Sequence, residues 1–115
     1  MLGLLSIGVA KAQLPDGALA PDFTLTDLNG TPQNLYTYLA QGKKVFIDVS
    51  ATWCGPCWSF HGTHALDSLW AQHGPAGQPG VNANTTDDVV VLFIEGDVST
   101  TNADLLGTGG NTQGD

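Results

Sequence analysis

Positive charge is scarce in this chain of 115 residues: it has three lysines, no arginine and eleven acidic residues, for a formal net charge of −8. Binding to a phosphate backbone depends on clustered lysine and arginine, so the composition excludes a nucleic-acid-binding protein. An anionic membrane surface is an equally poor partner. Cysteine is also scarce. Two cysteines are too few for a disulfide-rich scaffold or for a zinc site built from cysteine alone.

Size and hydrophobic content are those of one small folded domain. The length accommodates no second domain. Hydrophobic residues make up 42% of the chain and include three tryptophans, which favours a folded domain over a disordered acidic tail. No apolar run reaches the roughly 20 residues that a membrane-spanning helix needs.

The first twelve residues have the pattern of a secretory signal peptide. Residues 1–9 are apolar and uncharged, and the following Ala10-Lys11-Ala12 places small residues at the −3 and −1 positions of a cut before Gln13. We therefore predict an exported protein, periplasmic or secreted. Position 13 is not a cysteine, so no lipid anchor is expected.

Alternating and apolar runs predict the elements of the rest of the chain. Residues 13–21 form a linker, and residues 22–115 form the domain. Asn29-Gly30 is a strong hairpin signal, and residues 74–88 are rich in glycine, proline and polar side chains, which indicates a long exposed loop. The predicted elements are a strand at 23–26, a strand and helical turn within 31–39, a buried strand at 45–51, a helix from 54 to about 73 and a buried strand at 89–94.

This order predicts an α/β fold. Both long strands are apolar on both faces apart from Asp48, which is the pattern of central strands covered on both sides. A β-α-β unit preceded by a hairpin forms an α/β sandwich with a partly parallel sheet.

The chemistry lies in Trp53-Cys54-Gly55-Pro56-Cys57, between a buried strand and a helix. Two thiols three residues apart on a first helical turn close a disulfide with little backbone movement. Free N–H groups and the positive end of the helix dipole stabilise a thiolate there. Cys54, at the helix start, is predicted to be the nucleophile, and Cys57 the thiol that resolves the mixed disulfide. Pro56 is tolerated because it lies in the first turn.

These residues resemble a known family. The segment from Asp48 to Cys57 is similar to the active-site segment of thioredoxin-like proteins, and residues 20–30 resemble the N-terminal hairpin of the exported TlpA/ResA-type thiol–disulfide oxidoreductases. The resemblance covers about residues 20–98. It implies a thioredoxin-like sandwich, dithiol–disulfide exchange through the Cys54–Cys57 pair, and an active-site surface that includes Trp53.

Asp48 stands where thioredoxins place a buried acid. A lone carboxylate on an apolar strand needs a reason. Burial strengthens the affinity of a carboxylate for a proton, which would suit Asp48 to take a proton from Cys57 through water. Thioredoxins often pair this acid with a lysine on the next strand, and residues 89–94 contain none. The alternative is that strand twist exposes Asp48 to solvent.

A second departure lies after the helix. The resemblance implies a cis-proline loop against the disulfide, then an antiparallel hairpin and a last helix. Pro75 and Pro79 precede the second central strand and are too early for that loop. We therefore expect an incomplete thioredoxin-like fold. Peroxiredoxins share the N-terminal pattern, but the proline that precedes their reactive cysteine has no counterpart between Pro32 and Pro56.

Three functions remain open from the residues. The leading prediction is thiol–disulfide exchange outside the cytoplasm, without metal or organic cofactor, with protein thiols or disulfides as substrates and an upstream redox partner. The second is a copper or zinc carrier that uses Cys54, Cys57 and either His61 or His64. For both histidines the simpler interpretation is a solvent-facing helix position. The third is an interaction domain in which the disulfide only holds the helix start.

Overall fold

The computed structural model describes residues 14–113, so the predicted signal peptide lies outside the described residues. Residues 14–21 of the predicted linker are exposed and form neither helix nor strand. Two two-stranded sheets and four helices follow. In chain order the elements are β1 (Thr24–Thr26), β2 (Pro32–Asn34), α1 (Leu35–Ala40), β3 (Lys44–Ser50), α2 (Gly55–His61), α3 (Ala65–His73), β4 (Val89–Glu95) and α4 (Asn102–Leu105).

The N-terminal hairpin forms as predicted. β1 and β2 pair antiparallel, with Thr24 opposite Asn34. Asp27 closes the turn, because its Oδ1 accepts hydrogen bonds from the backbone N–H groups of Asn29 and Thr31, both at 2.9 Å. Gly30 has φ +80°, a conformation that glycine adopts without steric cost. Asn34 then caps α1 by accepting the N–H of Thr37 at 2.7 Å.

The predicted β-α-β unit is also present. β3 and β4 pair in parallel, with Lys44 opposite Val89 and Asp48 opposite Phe93, and α2 and α3 lie in the connection between them. Parallel strands need such a crossover connection. The hairpin and this unit together form an incomplete thioredoxin-like α/β fold, as predicted. Within residues 14–113, no antiparallel hairpin follows β4.

The prediction of one continuous helix from residue 54 to about 73 is wrong. The helical segment breaks between His61 and Ala65, and His64 adopts a left-handed φ of 56°. Gly62 and Thr63 are weak helix formers, so little free energy opposes the break. The Thr63 hydroxyl donates to the carbonyl of Phe60 at 2.7 Å, a local bond that competes with helix continuation.

The loop at residues 74–88 is mostly exposed, as predicted, but it is tied to the end of α3. Backbone N–H groups of Asn82, Thr86 and Asp88 donate to the carbonyls of Ala71, Gln72 and His73 in turn, at 2.8–3.2 Å. These bonds satisfy carbonyls that a helix end leaves without intrahelical partners. The loop therefore runs back along α3 and delivers the chain to the start of β4.

The prediction that both long strands are covered on both sides is wrong for β3, and also for Phe93 of β4, which is 44% exposed. Phe46, Ile47 and Val49 are 45%, 44% and 65% exposed, whereas Val89 and Val90 of β4 are each 4% exposed. A strand is buried on both faces only where other layers cover both faces. In the described part of the chain, α1 packs against β3 and α3 against β4, which leaves much of β3 in contact with solvent.

No helix within residues 14–113 combines the length and the apolar character needed to cross a bilayer. The longest of them, α3, has nine residues. At about 1.5 Å per residue, a helix of that length is far shorter than the hydrocarbon core of a membrane.

Val49 is exposed and Val90 is buried, so the same substitution should change the free energy of unfolding by different amounts at the two positions. Val49→Thr should change the free energy of unfolding by less than about 0.5 kcal/mol, because the side chain is already in water. Val90→Thr should cost about 1–3 kcal/mol, because it buries a hydroxyl among apolar atoms. Urea unfolding of both variants measures this. Equal losses would show that Val49 is covered in solution.

Candidate active site

The two cysteines form a disulfide at the start of α2. β3 ends at Ser50 and is followed by a turn. In this turn the N–H of Cys54 donates to the carbonyl of Ala51 at 2.9 Å. Cys54 is then the N-cap residue of α2. The Cα atoms of Cys54 and Cys57 lie 5.3 Å apart, within the range that disulfides need. Both residues are half-buried, so this pair is reachable from solvent.

The N-terminal turn of α2 aims a hydrogen-bond donor at the first sulfur. The backbone N–H of Cys57 points at the Cys54 Sγ, with N and S 3.3 Å apart. Pro56 follows Gly55 in the first turn, where its missing N–H costs nothing. In the reduced protein, the same N–H would stabilise a thiolate on Cys54 more than a thiol, because charge strengthens the hydrogen bond.

Trp53 lies beside the disulfide at the protein surface. Its side chain is 50% exposed, and its indole N–H donates to the Asp97 Oδ2 at 2.8 Å. Hydrogen bonds from the hydroxyl and N–H of Ser99, and then from Trp53, lower the pKa of Asp97. The charged Asp97 therefore holds the Trp53 ring in place next to the dithiol.

Thr52 anchors the loop between β3 and α2. It is 5% exposed, and its N–H donates to the Glu95 Oε2 at 3.1 Å. Its hydroxyl donates to the carbonyl of Asn111 at 2.8 Å, and its own carbonyl accepts from the Trp58 indole (2.7 Å) and the Gln113 N–H (3.0 Å). No motif in the sequence marks Thr52 as part of the site. The sequence indicates it only through Glu95, which ends β4 at the edge of the sheet where the loop between β3 and α2 begins.

The chain after α4 reaches this loop because Asp104 folds it back. Asp104 completes a capping box with Thr101, and its Oδ1 accepts the N–H of Asn111 at 2.9 Å. Gln113 then donates from Nε2 to the carbonyl of Trp53 at 2.8 Å. The Gln113 amide also lies over Gly55, where an added Cβ would be 3.6 Å from that same Nε2, an ordinary van der Waals distance.

Asp48 lies on β3 with its side chain 21% exposed. Its Oδ2 is buried and accepts no hydrogen bond from the described residues. Its cross-strand neighbour is Phe93, so β4 supplies no cation. The carboxylate is thus in the partly buried position that the sequence predicts, and one of its oxygens lacks the hydrogen bond that buried oxygens normally have.

His61 is not the solvent-facing residue that the sequence analysis favoured. It is half-buried, with its ring 5.3 Å from that of Phe93 and 5.9 Å from that of Trp58. Its Nε2 lies 3.6 Å from the Asp48 Oδ2. The helix ends at this residue, so the predicted helical face could not indicate that His61 packs against the sheet.

His64 lies on the other side of the helix break and is exposed, with its Nδ1 2.8 Å from the Asp67 Oδ2. Across residues 14–113, no three side chains of histidine, cysteine, aspartate or glutamate converge as metal ligands. The structure therefore does not gather Cys54, Cys57 and a histidine into the carrier site considered above.

The Trp53–Asp97 hydrogen bond predicts a response to acid. Because the pKa of Asp97 lies below its usual value of 3.8, the carboxylate persists until the pH falls below about 4, and its contribution is lost at lower pH. The indole N–H resonance of Trp53 should shift over that acidic range. The Trp58 indole donates to a carbonyl and is the internal control. Asp97→Asn should abolish the Trp53 transition; its persistence would refute the assignment.

The chain shares significant similarity with curated thioredoxin-like proteins. It is 47% identical over 47 residues to the thiol–disulfide oxidoreductase ResA of Geobacillus kaustophilus (strain HTA426), which covers 41% of this chain and 26% of that protein. The ResA of Geobacillus thermodenitrificans (strain NG80-2) is 45% identical over 47 residues, with the same coverage. The thioredoxin-like protein YneN of Bacillus subtilis (strain 168) is 46% identical over 44 residues, or 38% of this chain and 25% of YneN.

The match spans about a quarter of the length of these curated relatives. No family model matches the chain, and no solved structure matches it significantly. The similarity nevertheless agrees with a Cys-x-x-Cys disulfide placed between a parallel strand and a helix. Over this matched segment, the chain is therefore similar to thioredoxin-like proteins of the TlpA/ResA type.

Proposed function

We propose that this protein is a thiol–disulfide oxidoreductase that exchanges disulfides with protein substrates through Cys54 and Cys57. The observation that carries the proposal is the half-buried Cys54–Cys57 disulfide at the start of α2, beside an exposed tryptophan. Support comes from the two relatives named thiol–disulfide oxidoreductase.

In this reaction the Cys54 thiolate attacks one sulfur of a substrate disulfide. A new S–S bond joins Cys54 to the substrate, and the other substrate sulfur leaves as a thiolate. Cys57 then loses its proton and attacks the Cys54 sulfur, which releases the second substrate thiolate and leaves the Cys54–Cys57 disulfide. Two electrons pass from the dithiol to the substrate, and an upstream dithiol partner restores the reduced form. Run in reverse, the same steps oxidise a substrate dithiol.

The two cysteines have different roles because they differ in position on the helix. Cys54 is the N-cap residue and receives the N–H of Cys57 on its sulfur, which favours the thiolate. Cys57 lies within the helix, and its own thiol must be deprotonated before it attacks. We assign that proton to Asp48, whose partly buried carboxylate has one oxygen without a hydrogen bond.

Trp53, Gly55 and Pro56 form the surface that meets the substrate in this proposal. Trp53 and Pro56 are exposed around the disulfide. The Trp53 ring is fixed by Asp97, so it offers an ordered apolar surface for a polypeptide beside the reacting sulfur. Gly55, which has no side chain, adds only backbone to this surface, and the Gln113 amide lies beside it.

We further propose that exchange takes place outside the cytoplasm. The support is the apolar segment 1–9 followed by Ala10-Lys11-Ala12, the pattern of a cleaved signal peptide. Residues 22–115 are then the thioredoxin-like domain of the exported protein, after a short linker at 13–21.

The assignment of the nucleophile predicts unequal thiol reactivity. In the reduced protein at pH 7, Cys54 should be alkylated by iodoacetamide at least about tenfold faster than Cys57, because thiolate reacts and thiol does not. Peptide mapping by mass spectrometry after short exposures measures both rates. Similar rates at the two cysteines would contradict the assignment.

Serine variants test the order of the two steps. Cys57→Ser should accumulate a mixed disulfide with a protein substrate such as insulin, because no second thiol resolves it. Cys54→Ser is the matched control and should trap little. Trapping by Cys54→Ser alone would reverse the roles.

Export predicts the N-terminus of the mature protein. When the full reading frame is expressed in a secreting host, material outside the cytoplasm should begin at Gln13, as found by N-terminal sequencing. Replacing Ala10 and Ala12 with large residues should block the cut, because signal cleavage requires small side chains there. Protein that stays in the cytoplasm with Met1 intact would refute the export proposal.

A further inference from the structure

The contact between His61 and Asp48 lies outside the steps that make and break the disulfide bonds. The His61 Nε2 lies 3.6 Å from the Asp48 Oδ2, the same oxygen that is buried and accepts no hydrogen bond. This separation is within the range of an ion pair and slightly longer than a direct hydrogen bond. His61 is thus a basic group of α2 within ion-pair distance of Asp48. The Asp48 oxygen that faces it accepts no hydrogen bond from the described residues.

Packing holds the imidazole in this position. Its ring lies against Phe93 of β4 and Trp58 of α2, with centroids 5.3 Å and 5.9 Å away. His61 follows Cys57 by four residues, so the two side chains lie on the same face of α2, one turn apart. The side chain is 35% exposed, against 21% for Asp48, so the imidazole has the better access to solvent.

The charged groups around the imidazole are few. β3 contributes Asp48, and β4 contributes the apolar Phe93. α3 contributes Asp67, whose carboxylate lies 2.8 Å from the Nδ1 of His64.

The lysines of the described chain are paired at a different place. Lys43 and Lys44 form ion pairs with Asp87 and Asp88, at the start of β4. His61 is therefore the basic side chain that the described structure places beside Asp48.

Building on the proposed thiol–disulfide exchange, we propose that His61 is a positioning residue for Asp48 and the route by which the Cys57 proton reaches solvent. Asp48 takes the proton when the Cys57 thiol becomes a thiolate, and the thiolate attacks the Cys54 sulfur of the mixed disulfide. The substrate thiolate leaves with the electron pair of the broken S–S bond. Once this contact closes to hydrogen-bond distance, Asp48 passes its proton to the Nε2 of His61, and the imidazole returns one proton to water. His61 thereby returns Asp48 to its carboxylate form.

The experiment separates the two thiol steps with an aromatic disulfide. The reduced 115-residue protein is mixed with one equivalent of 5,5′-dithiobis(2-nitrobenzoic acid) in a stopped-flow instrument. Attack by Cys54 releases the first thionitrobenzoate, and resolution by Cys57 releases the second. His61→Asn should slow the second release about 10-fold at pH 7 and leave the first unchanged, an effect below the 10²–10⁴-fold range of full acid–base catalysis.

Two further variants make the test specific. His64→Asn removes the exposed histidine, and asparagine tolerates the left-handed backbone of that position, so both releases should keep the wild-type rates. Asp48→Asn should slow the second release at least as much as His61→Asn. The double variant should be no slower than Asp48→Asn alone, because the two residues act in one proton route.

The pH profile provides a readout that packing alone would not change. The second release should change with pH differently in His61→Asn than in the wild type and in His64→Asn, because only His61→Asn removes the imidazole beside Asp48. A wild-type rate and profile in His61→Asn would overturn the inference, as would equal slowing of both releases. If the wild-type protein releases no thionitrobenzoate, the proposed function fails in every variant alike, and the inference fails with it.

Discussion

The parallel pairing of β3 with β4 is the constraint on which the dithiol site depends. Its register places Ser50 opposite Glu95, so both strands end at the same edge of the sheet. The N–H of Gly96 donates to the carbonyl of Ser50 at 2.7 Å, which extends the pairing by one more bond. Glu95 then accepts the N–H of Thr52, and the loop that bears Cys54 is held between the two strand ends.

The same register places the acid and the histidine together. Asp48 and Phe93 are cross-strand neighbours, and the Phe93 ring contacts His61. A residue on β3 and a residue at the end of α2 therefore meet over one position of β4. The break after α2 contributes as well, because a straight helix would continue past Gly62 and carry a different face over the sheet.

The few cations of the chain stabilise the opposite end of the β3–β4 pair. Lys44 pairs with Asp88, and hydrogen bonds from Lys44 and then Thr86 lower the pKa of Asp88 to about 2. Lys43 pairs with Asp87 in the same turn. Both lysines are thus used where β3 begins and β4 enters the sheet, and the carboxyl ends of the strands carry acids, the disulfide and a histidine.

The sequence by itself determined the features of this protein that depend on interactions between residues close together in the chain. The Asn29-Gly30 turn, the apolar strands and the cysteines at a strand–helix boundary depend on neighbouring residues, and the sequence predicts each of them. Tertiary structure decided what depends on distant residues: the exposure of Val49, the Thr52 anchor and the His61–Asp48 contact. Thr52 meets Glu95 across 43 residues and Asn111 across 59. One sequence contains no signal for such pairs, because the free energy that selects them arises only when the strands and helices pack together.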